Sequence, residues 1–223
     1  ERVLGPADLV GISVVVSAGG TREPIDAVRV IANRSSGKQG YAVAAEAAAR
    51  GALVTLVTTV TLPAPRGCNI VSVETAAQMQ AAMEQAAATH DVVVMAAAVA
   101  DFRPVQAANG KLKKRDGTPE IVLEPTPDIL ASLGANKRAG QVLVGFAAET
   151  DDLLANAKSK LDTKRLDLIV ANDVSAPGVG FVHDTNAVTL VRPDAEPVEI
   201  DLASKQDVAR AVIDTIVALR DAR

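Results

Sequence analysis

The sequence of 223 residues has no tryptophan, one tyrosine and three phenylalanines, so a core must be assembled from Ala, Val, Leu and Ile. Its single cysteine, Cys68, excludes an internal disulfide framework and fits a reducing compartment. Alone, Cys68 reads as a small packed residue and not as a nucleophile. No apolar run reaches the ~18 uncharged residues of a transmembrane helix. The two histidines, His90 and His183, are far apart and form no metal motif, and no G-x-S-x-G elbow occurs, so zinc and serine-hydrolase chemistry fall away. The opening "ERVLGPADLVG" has no basic, apolar leader pattern and no methionine. The expectation is a cytoplasmic protein excised from a longer chain. A net charge of −4 argues against a general nucleic-acid binder.

What is present is an alternation of strand-like and helix-like runs. Strands are expected over 11–20, 52–59, 69–74, 91–100, 141–149 and 166–173. Helices are expected over 37–50, 75–90, 127–138 and 152–164, with a C-terminal amphipathic helix carrying Val208, Ala211, Val212, Ile216 and Leu219 at helical spacing. The run "DVVVMAAAVA" is apolar throughout, as in a strand covered on both faces. This βαβα pattern predicts a three-layer α/β/α, Rossmann-like parallel sheet. Two segments interrupt it: a polar flap at about 103–125, expected to hold strands at 111–115 and 120–124, and a hairpin at about 187–200 with its turn at 192–197. Residues 1–10 read as a short arm and 11–223 as one domain.

Ligands of open α/β sheets bind beyond the carboxyl ends of the strands, and the chemically suggestive loops fall there. "NRSSGKQG" is not a P-loop: Ala32 stands where the first glycine belongs and Gln39 where the Ser/Thr belongs. Ser35, Ser36 and Gly37 ahead of an alanine-rich helix leave two readings, a serine N-cap or an anion site at a helix N-terminus. Gly19 and Gly20 allow close approach of backbone to a ligand. Thr21, Arg22, Arg29 and Asn33 offer donors, and a helical turn would put Arg29 and Asn33 on one face. Lys111, Lys113 and Lys114 form a basic cluster in the flap, Lys111 and Lys113 sharing a strand face. Lys160 and Lys164 are one helical turn apart. Asp101 and Asp173 end strands, suited to a ribose, Mg²⁺ or a turn. Tyr41, Phe102, Phe146 and Phe181 sit beside small residues at element ends, placed for a planar ligand or for plugging core edges.

The ordered set "SAGGTREPIDAVRVIANRSSGKQG", "MAAAVADFRP", "KLKK", "PTPDIL", "VGFAAET", "KRLDLIVANDVS" and "GFVHDTNAVTL" closely resembles bacterial phosphopantothenate–cysteine ligase, over about residues 11–220. That activity is usually the C-terminal half of a bifunctional coenzyme A biosynthesis protein. The resemblance implies CTP as co-substrate, Mg²⁺, 4′-phosphopantothenate and L-cysteine, and an acyl-cytidylate intermediate. It also implies a homodimer and a flavin-dependent decarboxylase domain as partner in the parent chain. By motif, Asn33 and Arg29 are expected to hold the acyl intermediate and the pantothenate moiety, with Ala98 lining the same site and Lys111 as the flap lysine. Ser35, Ser36, Gly37 and Lys38 are expected on the substrate. Ser17, Gly19, Gly20, Asp101, Phe102, Phe146, Lys160, Lys164 and Asn172 are expected on the nucleotide side, Asp101 near Mg²⁺. Arg34 stands where the family commonly has His, and Leu112 where it has Ile.

Two other functions use the same sheet. A nicotinamide-dependent reductase would need a tight glycine fingerprint and an acid ending the second strand, and "VTTVTLP" has no acid. A nucleotide-binding module without turnover fits the same loops.

Overall fold

The first strand, β1 (Ser13–Ala18), is buried along almost its whole length because helices cover both faces of the sheet it anchors. In this computed structural model, residues 6–149, 152–173, 183–193 and 195–223 are described. After β1 come a small hairpin, β2 (Arg22–Pro24) and β3 (Val30–Ala32), then α1 (Lys38–Ala49), β4 (Leu53–Thr58), β5 (Cys68–Ser72), α2 (Ala76–Ala87) and β6 (Val92–Met95). The flap contributes β7 (Phe102–Pro104) and β8 (Leu123–Pro125). It is followed by α3 (Ile129–Ala135), β9 (Val142–Glu149), α4 (Leu153–Thr163), β10 (Leu168–Asp173), β11 (Thr185–Val191), β12 (Val198–Ser204) and α5 (Lys205–Asp221).

The described residues form an eight-stranded sheet in the order β5-β4-β1-β6-β9-β10-β11-β12. The pairings from β5 to β10 are parallel, and β11 and β12 add an antiparallel edge. The chain leaves β1 toward β4 and later returns to β1's other side with β6, so the topological switch lies between β1 and β6. Alternation along the strands sorts the core into two layers. Val14, Val16, Leu56 and Val94 meet α1 and α5 on one face, and Val15, Val57, Leu143 and Ile169 meet α2, α3 and α4 on the other. With few aromatics, stability rests on the number of small apolar side chains; burying each Val or Leu contributes roughly 1.5–3 kcal/mol.

Local chemistry explains the element ends. Thr75 caps α2 in a capping box with Gln78. Ser204 caps α5 by accepting from the Asp207 N–H. The expected fourth strand stops early, at Met95, because the buried Ser17 hydroxyl accepts from the N–H groups of Ala96 (3.1 Å) and Ala97 (3.0 Å) and draws that segment out of the ladder. The flap also differs from expectation. Its strands are β7 and β8, paired antiparallel, while residues 111–113 are not strand and Lys114–Asp116 form a 3-10 turn. Asn109-Gly110 and Asp116-Gly117, the latter glycine at φ 95°, break the extended run that the lysine alternation suggested. The shared strand face of Lys111 and Lys113 therefore does not exist. The supposed arm contributes to the body: Leu9 is fully buried, and Asp8 and Asp214 both pair with the buried Arg50. Among the described residues, no helix is long and apolar enough to cross a membrane.

Candidate functional site

The cleft forms where β1 and β6 diverge at their carboxyl ends. The chain after β1 is bound to the chain after β6 by an Ala98 N–H to Gly19 carbonyl bond (2.8 Å), a Thr21 N–H to Ala98 carbonyl bond (3.2 Å) and an Ala100 N–H to Thr21 hydroxyl bond (2.9 Å). Ser17, Gly19 and Gly20 are all buried beneath this junction. The glycines answer to protein packing: a Cβ on Gly19 (φ 89°) would meet the Thr59 hydroxyl, and one on Gly20 would lie 2.7 Å from the Asn33 carbonyl oxygen.

The segment from Arg29 to Asn33 is not a helical turn but mostly β3, paired with β2. Asn33, exposed, donates from its amide to the carbonyls of Val99 (3.0 Å) and Ala98 (3.4 Å), which places it beside Ala98 as the sequence suggested. Neither serine caps α1. The N-cap is Gly37 at φ 76°, with no side-chain cap bond, so the first-turn N–H groups keep their partial positive charge toward the cleft. A Cβ at Gly40 would lie 2.7 Å from the Ala18 Cβ, so this glycine lets α1 dock tightly on β1.

Ser35, Ser36, Gly37, Lys38, Ala98, Phe146 and Asn172 line one cleft, seven of the sequence-derived residues drawn from four separate segments. Phe146 is half-buried there, whereas Tyr41 is core and donates its hydroxyl to the Val60 carbonyl (3.0 Å). Lys38 pairs with Asp184 at 2.6 Å. Phe181 lies outside the described residues, as does the Asp173 side chain.

Other expected residues stand around or away from this cleft. Asp101, on the loop just past Ala98, and Phe102, which opens β7, are both exposed. Arg29 is engaged by the protein itself: its guanidinium binds the Asp26 carboxylate and donates to the Leu112 carbonyl (2.8 Å), while the Leu112 N–H donates to Asp26 (3.1 Å). Asp26 and Arg29 thus fasten the flap at the centre of "KLKK". The guanidinium holds the Asp26 carboxyl far below its ordinary range against the opposing cost of burial, and the N–H groups of Val28, Arg29 and Leu112 add to the effect. Lys111, Lys113 and Lys114 are exposed and have no side-chain partner among the described residues. The last turn of α4 points toward the amino ends of the strands. From there Lys164 pairs with Asp128 (2.8 Å), the N-cap of α3, and Lys160 lies one turn nearer the carboxyl edge. Burial works to raise the Asp128 carboxyl, but Lys164 and the N–H groups of Ala131 and Leu130 outweigh it.

No three His, Cys, Asp or Glu side chains gather as a metal cage among the described residues. The Asp101 carboxylate, exposed and without a side-chain partner among the described residues, fits a Mg²⁺ ion held mainly by phosphate oxygens and water.

A family model described as "DNA/pantothenate metabolism flavoprotein C-terminal domain" matches residues 9–219. The chain belongs to this family. It is 46% identical over 215 residues to "Coenzyme A biosynthesis bifunctional protein CoaBC" of Bacillus subtilis (strain 168), covering 96% of this chain and 53% of that protein. It is also 46% identical over 211 residues to a protein of an unknown prokaryotic organism named "Cysteine/Cysteine sulfinic acid decarboxylase", covering 94% of this chain and 59% of that one. The crystal structure of the C-terminal domain of CoaBC aligns with a TM-score of 0.84 at 39% identity, covering 97% of this chain and all of that one. The chain therefore spans little more than half the length of the curated relatives it matches.

Among the cleft-lining residues not singled out from the sequence of this family member are Asn186, on β11, and Lys205, the first residue of α5. A signal for Lys205 was available. A cation in the first helical turn opposes the macrodipole, which marks "SKQD" as unusual.

Proposed function

We propose that this chain is the ligase half of coenzyme A biosynthesis, joining L-cysteine to 4′-phosphopantothenate at the expense of CTP. The observation that supports it most is the meeting of the "SSGK" helix start with Ala98, Phe146 and Asn172 in one cleft at the switch point, within this family. The carboxylate of 4′-phosphopantothenate attacks the α-phosphorus of CTP, and the bond to the bridging oxygen breaks to release pyrophosphate. The amine of L-cysteine then attacks the acyl carbon of the acyl-cytidylate. The bond to CMP breaks, and the amine gives up a proton as the amide forms.

Both reactants of the first step are anions, so the barrier is largely electrostatic. The uncapped first turn of α1 and Lys38 offer fixed positive charge to phosphate oxygens. Asn33 and Ala98 hold the acyl intermediate beside them, with the Asn33 amide already oriented by two carbonyls. Lys111 approaches the intermediate from the flap, while Arg29 keeps the flap fastened through Leu112 and faces the pantothenate moiety with its exposed side. Phe146, Asn172, Asp101 and Phe102 form the nucleotide wall, with Lys160 and Lys164 behind it on α4. Mg²⁺, when bound with the triphosphate near Asp101, would supply further charge neutralisation.

The protein works in the cytoplasm as a homodimer, with a flavin-dependent decarboxylase domain as its partner in the parent chain. Exposed apolar side chains on the two small hairpins and the flap, Val28, Val30, Phe102, Val105, Val122 and Leu123, support self-association through that face. The test is pyrophosphate release by the purified chain with CTP, Mg²⁺ and 4′-phosphopantothenate, with and without L-cysteine. Cysteine-dependent turnover yielding CMP is the expected result. CTP binding with no release under any condition would leave only a nucleotide-binding module.

A further inference from the structure

We propose that Lys205, with Asn186 beside it, binds a phosphoryl group of a substrate in the cleft, facing the first turn of α1. The inference rests on the reading of this cleft as the ligase site and adds an opposite wall to it.

Lys205 is only 7% exposed and opens a helix of 17 residues. Its ammonium donates to the His183 carbonyl (2.5 Å), its backbone N–H to the Asp184 carbonyl (3.0 Å), and its own carbonyl accepts from Gln39 on α1 (3.1 Å). These bonds bring the N-termini of α1 and α5 to the same cleft. A cation there is disfavoured three ways. Burial strips its water, Lys38 repels it, and the macrodipole of α5 opposes it. Burial and Lys38 lower its proton affinity, and Asp184 offsets them only in part. Packing or capping does not require a lysine, since Ser204 caps the helix and the exposed Asp207 complements its dipole. An anion in the cleft would counter the charges of Lys205 and Lys38 and meet the uncapped start of α1.

Asn186 gives an independent sign of a ligand. It lines the same cleft at 5% exposure, and its carboxamide oxygen is buried with no hydrogen-bond partner among the described residues. An unsatisfied buried amide oxygen is costly, and a bound group bearing a donor, or a flipped amide donating to phosphate, would recover that cost. The phosphoryl group could come from the nucleotide or from the phosphate ester of the acid, because both present the same dianionic oxygens.

Calorimetric titration of the wild-type chain, Lys205→Met and Lys205→Arg with Mg-CTP, inorganic pyrophosphate and 4′-phosphopantothenate tests this directly. Lys205→Met is expected to weaken at least one probe about tenfold or more, with Lys205→Arg retaining most of the affinity. The ligand-free melting temperature should hold or rise, because a buried charge is removed. Parallel weakening of CTP and pyrophosphate assigns the site to the nucleotide; weakening of 4′-phosphopantothenate alone assigns it to the acid. Unchanged affinity for all three probes, or a loss of melting temperature with affinity intact, overturns the proposal. Should Lys205→Met not fold, Asn186→Asp replaces it: a carboxylate there must repel phosphate about tenfold or more, and no effect overturns the proposal equally. A wild-type chain that binds none of the probes refutes the ligase reading itself, which a variant-specific result would not.

Discussion

The two edges of the sheet are both rich in polar residues, yet they differ in whether those residues satisfy one another. At the amino edge, Asp167 accepts from the Leu143 N–H (2.7 Å) and pairs with Lys137 (3.0 Å) and Arg223 (2.5 Å). Nearby, Gln141 and Arg138 donate to the carbonyls of Ala87 and His90, and Asp91 receives both the N–H and the hydroxyl of Ser13. At the carboxyl edge lie Gln39, Thr59 and Asn186, the buried side chains with an unpaired oxygen among the described residues. Lysines of the flap have no side-chain partner there among the described residues, and Lys205 is a cation against its own helix dipole. Satisfied polarity holds the fold together, whereas the unsatisfied groups wait for something that is not protein. The comparison separates the edges more sharply than residue type does.

The largest expected effect is on the carboxyl edge. Asn33→Ala should reduce cysteine-dependent turnover by about 100-fold or more, the scale for losing an oriented polar group at the reacting centre, while leaving the melting curve nearly unchanged. A variant equally active, or one that loses stability in proportion, would break the contrast. The mirror experiment is Asp167→Ala at the amino edge. It should lower unfolding free energy by about 2–3 kcal/mol in denaturant titration, because Leu143 loses its acceptor and two cations lose their partner, with kcat preserved. Between the edges, Gly40→Ala should cost about 1–3 kcal/mol, because the new methyl presses on Ala18 and on the Ser17 carbonyl, and it should raise the KM for CTP by shifting α1.

The smallest effect is a pH dependence. The Asp26 carboxyl lies well below its ordinary value when folded, so its contribution is full above the unfolded pKa of about 4 and is lost as pH falls toward the folded value. Asp26→Asn should flatten the acid limb of the stability curve below about pH 4. A wild-type curve already flat there would remove Asp26 from the account.

The sheet and its helices were legible because valine-rich runs and helical spacing signal themselves locally. "SVVVSA" and "VVVM" are short β-branched runs suited to strands covered on both sides, and Thr75 announces α2. The cleft was legible where a motif falls on the carboxyl side of a parallel strand, as at Ala98 after β6, Phe146 in β9 and Asn172 in β10. Other features depend on tertiary contact. The burial of Gly19 and Gly20 follows from Thr59 and the Asn33 carbonyl, the short β6 from the reach of Ser17 across the sheet, and the engagement of Arg29 from Asp26 and a flap carbonyl 83 residues away. Lys205 and Asn186 come from the antiparallel edge and its helix, where a strand-end rule for parallel sheets gives no warning.

The most direct test of the central contrast is amide hydrogen exchange with and without saturating Mg-CTP. Slowed exchange confined to the carboxyl edge, at Gly37 to Gly40 and Ala96 to Ala98, with Arg138 to Leu143 unchanged, is the predicted result. Protection at the amino edge, or none at the start of α1 in a protein that binds the nucleotide, would contradict the account.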